Sequence, residues 1–203
     1  MIKRIIFDID GTLITGVDFF PYVRNALQRY GICVLEKVHQ FLLNIKEYEG
    51  TYNCYDRALY LDFFSHKLGY ELNDYFLEIL FQELRNAIPE NAEKIKSMLE
   101  TMSEYELVLL SNYFEKSQRN RLSAMGINGY FEKYYGERII KPNELAYRQA
   151  QGIYQPSECV IVGDDKRLDI DIPKSLGFKT VYVNKKGDIK RVEELSPKLI
   201  KKL

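Results

Sequence analysis

The chain has little that would tie it to a charged polymer, a membrane or an oxidising compartment. Its 203 residues carry 29 lysines and arginines against 29 aspartates and glutamates. No excess of either sign exists to hold nucleic acid or an acidic bilayer surface. No apolar run approaches the ~20 residues that a membrane span needs. Cysteine is scarce: Cys33, Cys54 and Cys159 are far apart, odd in number and without metal-ligand spacing. They read as reduced thiols in a cytoplasmic setting. A strand-like run begins almost at Met1, so no secretory signal is expected. The two histidines, His39 and His66, fall in helix-like segments with no ligand partner four residues on. Both read as surface or packing residues. Repeats and low-complexity tracts are absent, and nothing marks a protein partner.

What is present starts with Ile5-Ile6-Phe7-Asp8-Ile9-Asp10-Gly11-Thr12-Leu13. An apolar run ends in two carboxylates, a glycine and a hydroxyl. In an extended strand, residues i and i+2 point to the same side, so Asp8 and Asp10 are expected to face one ligand. Gly11 lets the backbone turn sharply and approach it. Two carboxylates in one place repel each other, and a bound cation relieves that. The competing reading is a strand followed by an ordinary Asp-Gly turn.

The length suits one α/β domain with an insertion, or one domain and a small second one. Ile2 to Phe7 reads as a strand covered on both faces. From about Gly16 to Ile88 the apolar residues step by three or four. Stripes run through Phe19–Tyr30, Val34–Ile45, Leu59–Leu68 and Tyr75–Leu84, and predict about four helices. From Pro89 onward helix and strand alternate. Leu107–Leu110, Cys159–Val162 and Thr180–Val183 are buried strands, and Tyr134–Ile140 holds a short strand or loop. Helices are expected over Ala92–Met102, before Gly126, between Asn143 and Gly152, and up to Leu176. Pro173 is placed in the first turn of the last of these. The tail from Asp188 reads as a closing helix. This alternation predicts a doubly wound parallel sheet of Rossmann-like form. The expected organisation is an α/β core of 1–15 and 89–203 with a helical cap of 16–88 inserted after the first strand.

Ligands on such sheets bind beyond the carboxyl ends of the strands. The polar residues there are Asp8, Asp10 and Thr12, then Ser111 and Asn112, then Asp164 and Asp165, with Lys141 in the intervening loop. Carboxylates, hydroxyls and a lysine together suit a phosphate bound beside a hard divalent ion such as Mg²⁺. A carboxylate can itself be the nucleophile toward phosphorus.

The runs Asp8-Ile9-Asp10-Gly11-Thr12, Ser111-Asn112, Lys141-Pro142 and Gly163-Asp164-Asp165-Lys166-Arg167-Leu168-Asp169 resemble the four motifs of the haloacid dehalogenase-like hydrolase superfamily. They occur in the family's order, over roughly residues 1–15 and 89–185. The resemblance implies Asp8 as the nucleophile and Asp10 as general acid, then base. It implies Mg²⁺ held by Asp8, the Asp10 carbonyl and Asp164. Thr12, Ser111 and the backbone near Asn112 would bind phosphate, and Lys141 would neutralise nucleophile and phosphate. Asp169 would orient Lys141 or metal-bound water, while Asp165 is left between an outer role and metal ligation. An acid at Asp10 favours the phosphatase branch over the dehalogenases, because an alkoxide needs a proton to leave.

The substrate implied is a small phosphorylated metabolite, with specificity set by the cap. The stretch Tyr48–Arg57 is expected to be a loop between two helices, with Tyr52, Tyr55 and Arg57 lining the substrate chamber. The alternative there is an aromatic hinge that only packs the cap. A sugar-phosphate phosphomutase and a non-catalytic phosphate-binding module on the same fold stand as alternatives for the whole chain.

Overall fold

The computed structural model describes residues 1–203. Five strands form one all-parallel sheet in the order β3-β2-β1-β4-β5. They are β1 (Arg4–Phe7), β2 (Glu106–Leu110), β3 (Lys133–Tyr135), β4 (Cys159–Gly163) and β5 (Lys179–Tyr182). The chain goes from β1 to one side of the sheet and later returns to the other side. The switch point therefore lies at the carboxyl end of β1, where such sheets open a crevice for ligands. In register, Phe7 pairs with Leu109 on one side and Val162 on the other. Asp8 follows directly, its N–H donating to the Val162 carbonyl at 2.9 Å.

The strands are apolar on both faces because helices cover both. Ile5, Phe7, Leu107, Leu109, Val160 and Val162 face α5 (Ala92–Glu100) and α6 (Glu115–Ala124). Ile6, Val108, Leu110, Cys159 and Ile161 face α7 (Glu144–Gln151) through Ala146, Tyr147 and Ala150.

Between β1 and α5 lie four helices: α1 (Phe20–Arg29), α2 (Leu35–Tyr52), α3 (Arg57–Leu68) and α4 (Asp74–Leu84). They bury an aromatic cluster of their own around Phe41, Tyr48, Tyr60, Phe64 and Phe76, which also takes in Phe114 and Ile140. Phe41 and Phe64 approach to 4.4 Å between ring centroids. Pairs of this kind add about 0.5–1.5 kcal/mol each beyond simple burial. Phe114 and Ile140 follow β2 and β3, so the four helices sit over the strands' carboxyl ends.

Three local expectations need correction. Residues 48–52 are not loop: α2 runs on to Tyr52 and stops at Asn53, whose φ of 54° is left-handed. The connection to α3 is only Asn53–Asp56, with the Asp56 carboxylate capping the Ala58 and Leu59 N–H groups. The helix before Gly177 opens as a π-helical segment, Lys166–Asp171, and only Ile172–Ser175 (α8) is α-helical. Pro173 stands four residues after Asp169 and has no N–H for its carbonyl, which disfavours regular α-helical spacing there. The tail forms a 3₁₀ turn, Val192–Glu194, and a short helix, α9 (Pro197–Ile200), not one closing helix. Ser196-Pro197 between them caps and starts a new helix.

Candidate active site

Four segments converge at the switch point. Asp8 leaves the end of β1, Ser111 and Asn112 leave β2, Lys141 comes from the loop before α7, and Asp164 and Asp169 follow β4. Lys141 is the hub. Its Nζ donates to Asp8 Oδ1 at 2.8 Å and to Asp169 Oδ1 at 2.7 Å. All three side chains are almost wholly buried. Burial opposes the lysine's charge, but Asp169 and Asp8 outweigh it and raise its pKa. The Asp8 carboxyl is pushed up to about 8 by burial, against the pull of Lys141, with the Asp169 and Asp164 charges adding to the rise.

The backbone places these groups closely. Gly11 has a φ of +90°, and a Cβ there would lie 2.2 Å from Asp164 Oδ2. At Gly163 a Cβ would lie 2.3 Å from Asp169 Cγ. Only glycine admits either carboxylate. Asn112 locks the Lys141 loop through paired bonds: its Nδ2 donates to the Lys141 carbonyl at 3.0 Å, and its Oδ1 accepts from the Lys141 N–H at 2.9 Å. Ser111 is buried at the end of β2. Thr12 is fully buried and its hydroxyl donates to Asp164 Oδ1 at 3.1 Å.

Asp8, Asp164 and Asp169 each offer a carboxylate oxygen, all within 4.8 Å of one another. Against these three carboxyl groups the cluster holds one cation, Lys141. Burial first, and the Asp169 charge among the rest, also raise the Asp164 carboxyl. A surplus of crowded, hard oxygen donors fits a divalent cation. Asp165 lies outside this group. Its carboxylate is spent on the N–H groups of Arg167 and Leu168, and its own N–H donates to Asp169 Oδ2. That makes it a support for Asp169.

Strand alternation does not set where Asp10 lies relative to Asp8. The strand ends at Phe7, so the extended geometry that would align residues 8 and 10 is absent. Asp10 turns instead to α6, where Arg121 Nη1 meets its Oδ1 at 2.7 Å and Gln118 Nε2 donates to its Oδ2 at 2.7 Å. Arg121 is itself buried, stacked 4.9 Å from the Phe19 ring, and donates to Gln118 Oε1 at 2.7 Å. Neither Gln118 nor Arg121 stood out in the sequence. The signal was their helical phase: residues 118, 121, 122 and 125 share one face, and Leu122 and Met125 are core residues.

Asp10, Asn112 and Arg121 are among the residues lining a cavity of about 250 Å³ beneath the four helices. Phe19, Val23, Phe41, Leu42, Ile45, Leu80 and Leu84 supply most of the rest. Of the chamber residues expected from sequence, Tyr55 lines it, and its hydroxyl donates to Glu49 at 2.8 Å. Tyr52 and Arg57 do not. Tyr52 packs on Tyr48 and Phe63 in the last turn of α2. Arg57 pairs with Asp74 at 2.8 Å and Glu78 at 3.0 Å, tying α3 to α4. Its charge is spent between helices.

A buried carboxyl–lysine cluster at the switch point of a parallel sheet, roofed by inserted helices, is here the site of a hydrolase. The chain belongs to the haloacid dehalogenase-like hydrolases, whose family model matches residues 2–177. It is similar to the human N-acylneuraminate-9-phosphatase, with 36% identity over 103 residues, 47% of this chain and 42% of that protein. The chain thus spans less than half the length of the curated relatives it matches. Among solved structures, a HAD phosphatase from Thermococcus onnurineus aligns at a TM-score of 0.64 with 25% identity, covering 98% of both chains. The magnesium-bound HAD hydrolase YfnB from Bacillus subtilis shares the fold at a TM-score of 0.71 and 17% identity, over 95% of this chain and 96% of that one.

Proposed function

We propose that the protein is a Mg²⁺-dependent phosphatase that hydrolyses a small phosphorylated metabolite through an aspartyl phosphate. The observation that carries this is the Asp8–Lys141–Asp169 cluster, with Asp164 beside it and an acid, Asp10, lining the cavity beneath the four helices. The phosphatase names of the relatives support it.

Asp8 attacks phosphorus with a carboxylate oxygen, and the P–O bond to the alcohol breaks. Asp10 gives the departing oxygen its proton. Asp10 then takes a proton from water as that water attacks the aspartyl phosphate, which releases inorganic phosphate and restores Asp8. Lys141, oriented by Asp169, offsets the charge that the phosphoryl oxygens gather. Thr12 and Ser111, with the backbone at Asn112, hold those oxygens. Asp8, the Asp10 carbonyl and Asp164 would hold the Mg²⁺, which draws charge from the phosphoryl group when bound. The four inserted helices act as the cap that excludes bulk water. The three free cysteines fit a cytoplasmic setting.

The test is phosphate release from a metabolite panel that includes N-acylneuraminate 9-phosphate and a generic aryl phosphate. Release should need Mg²⁺, cease with EDTA and fall by roughly 10³-fold or more in Asp8→Asn. Asp10→Asn should lose roughly 10²–10⁴-fold. Turnover that survives Asp8→Asn would refute the mechanism.

A further inference from the structure

The cavity has one charged group with no partner of opposite charge. Its lining contains one cation, Arg121, already paired with Asp10 and stacked on Phe19. The Arg121 Nε and Nη2 atoms make no hydrogen bond, but they are sealed from the open space. Asn112 is engaged with Lys141 through both ends of its amide. That leaves Glu49, on the last turn of α2. It accepts the Tyr55 hydroxyl at 2.8 Å and has no lysine or arginine in contact. Burial raises its carboxyl pKa, with Tyr55, Asn112 and the more distant Lys141 and Lys46 opposing the shift. Phe41, Leu42, Ile45 and Tyr113 line the same cavity.

A carboxylate on an apolar wall with no cation is costly unless a ligand supplies one. The same cavity is lined by Asp10 and by Asn112, whose amide holds the Lys141 loop of the phosphoryl site. We infer that Glu49 is a specificity residue that receives an ammonium group on the alcohol half of the substrate, so that the protein prefers phosphate esters of compact, largely apolar amino alcohols. This rests on the phosphatase reading above. The volume of about 250 Å³ suits a half of roughly eight water-sized groups. Its apolar walls disfavour a polyhydroxylated one. A leaving group bearing a carboxylate would meet Glu49 with like charge.

The experiment compares kcat/KM for a graded series of ω-aminoalkyl phosphates with alkyl, ω-hydroxyalkyl and ω-carboxyalkyl phosphates of the same length. The wild-type protein should favour the best ammonium ester over its alkyl counterpart by about tenfold, the scale of a charge-assisted hydrogen bond. In Glu49→Gln that ratio should collapse to about twofold or less, because the amide keeps the shape and loses the charge. Calorimetry on Asp8→Asn, with and without Glu49→Gln, reads the same ratio as binding and needs no turnover. An equal ratio in wild type and Glu49→Gln overturns the inference, as does preference for the hydroxyl or carboxyl series. Absence of phosphate release from every ester overturns the phosphatase reading alone, since the binding ratio still decides the role of Glu49.

Discussion

Cys159 shows how a single buried group sets a pH limit on this fold. It opens β4 with no exposed surface, packed under α7. Burial pushes its thiol up to about 11, against about 8.5 for a free cysteine. The folded chain therefore holds this proton to higher pH than the unfolded chain does. The stability it contributes is whole below about 8.5 and is lost as pH rises toward 11. Urea unfolding of wild type and Cys159→Ala at neutral pH and at pH near 10.5 checks this. The wild type should lose more stability between the two conditions than the variant does. The tyrosines titrate in both proteins and cancel in the comparison. The thiol should also resist alkylation in the native state, while exposed Cys33 reacts. Equal pH sensitivity of the two proteins would refute the assignment.

At the scale of the element, Asn143 is the clearest single determinant near the site. Its side chain accepts from the Leu145 N–H at 3.0 Å and starts α7, two residues after Lys141. Asn143→Ala should cost about 1 kcal/mol in denaturant unfolding. It should also weaken catalysis, because the Lys141 loop is held between this cap and Asn112. A stability change below about 0.3 kcal/mol would mean the cap bond contributes little. Asn143 was readable from sequence because a cap is a local pattern, and so were the strands and the four apolar stripes. Asp8, Ser111, Asn112 and Asp164 were readable because they follow directly on strand ends, and Lys141 and Asp169 because they lie in the short segments just beyond them. Glu49 and Arg121 were not, because their roles come from packing between segments far apart in the chain. Arg121 meets Asp10 only when α6 crosses the end of β1. Arg57 was misjudged for the same reason: its partners Asp74 and Glu78 lie on the next helix. The end of α2 was missed because Gly50, Thr51 and Asn53 look like turn chemistry, while the buried Tyr48 and its ring neighbours hold the helix through them.

At the scale of the whole molecule, three carboxylates crowded at the sheet's switch point make the fold pay for its own site. Asp8, Asp164 and Asp169 come from the first and the fourth strand segments, so their mutual repulsion pushes apart elements that β1 and β4 pairing must hold together. A divalent ion bound there joins those segments and binds the folded chain in preference to the unfolded one. At a hundred times its dissociation constant it should add about 2.7 kcal/mol. For a chain of this size that is a rise of roughly 5–10 °C in Tm. Thermal unfolding in EDTA and in millimolar Mg²⁺ measures it, with Ca²⁺ and Na⁺ at matched ionic strength as controls for screening. Asp164→Asn should begin more stable than wild type in EDTA, because one repelling charge is gone, and should gain little from Mg²⁺. That crossing of the two proteins separates a site built for a cation from a general effect of salt. A Tm that rises equally in wild type and Asp164→Asn would place the ion elsewhere and leave the acidic cluster balanced by Lys141 alone.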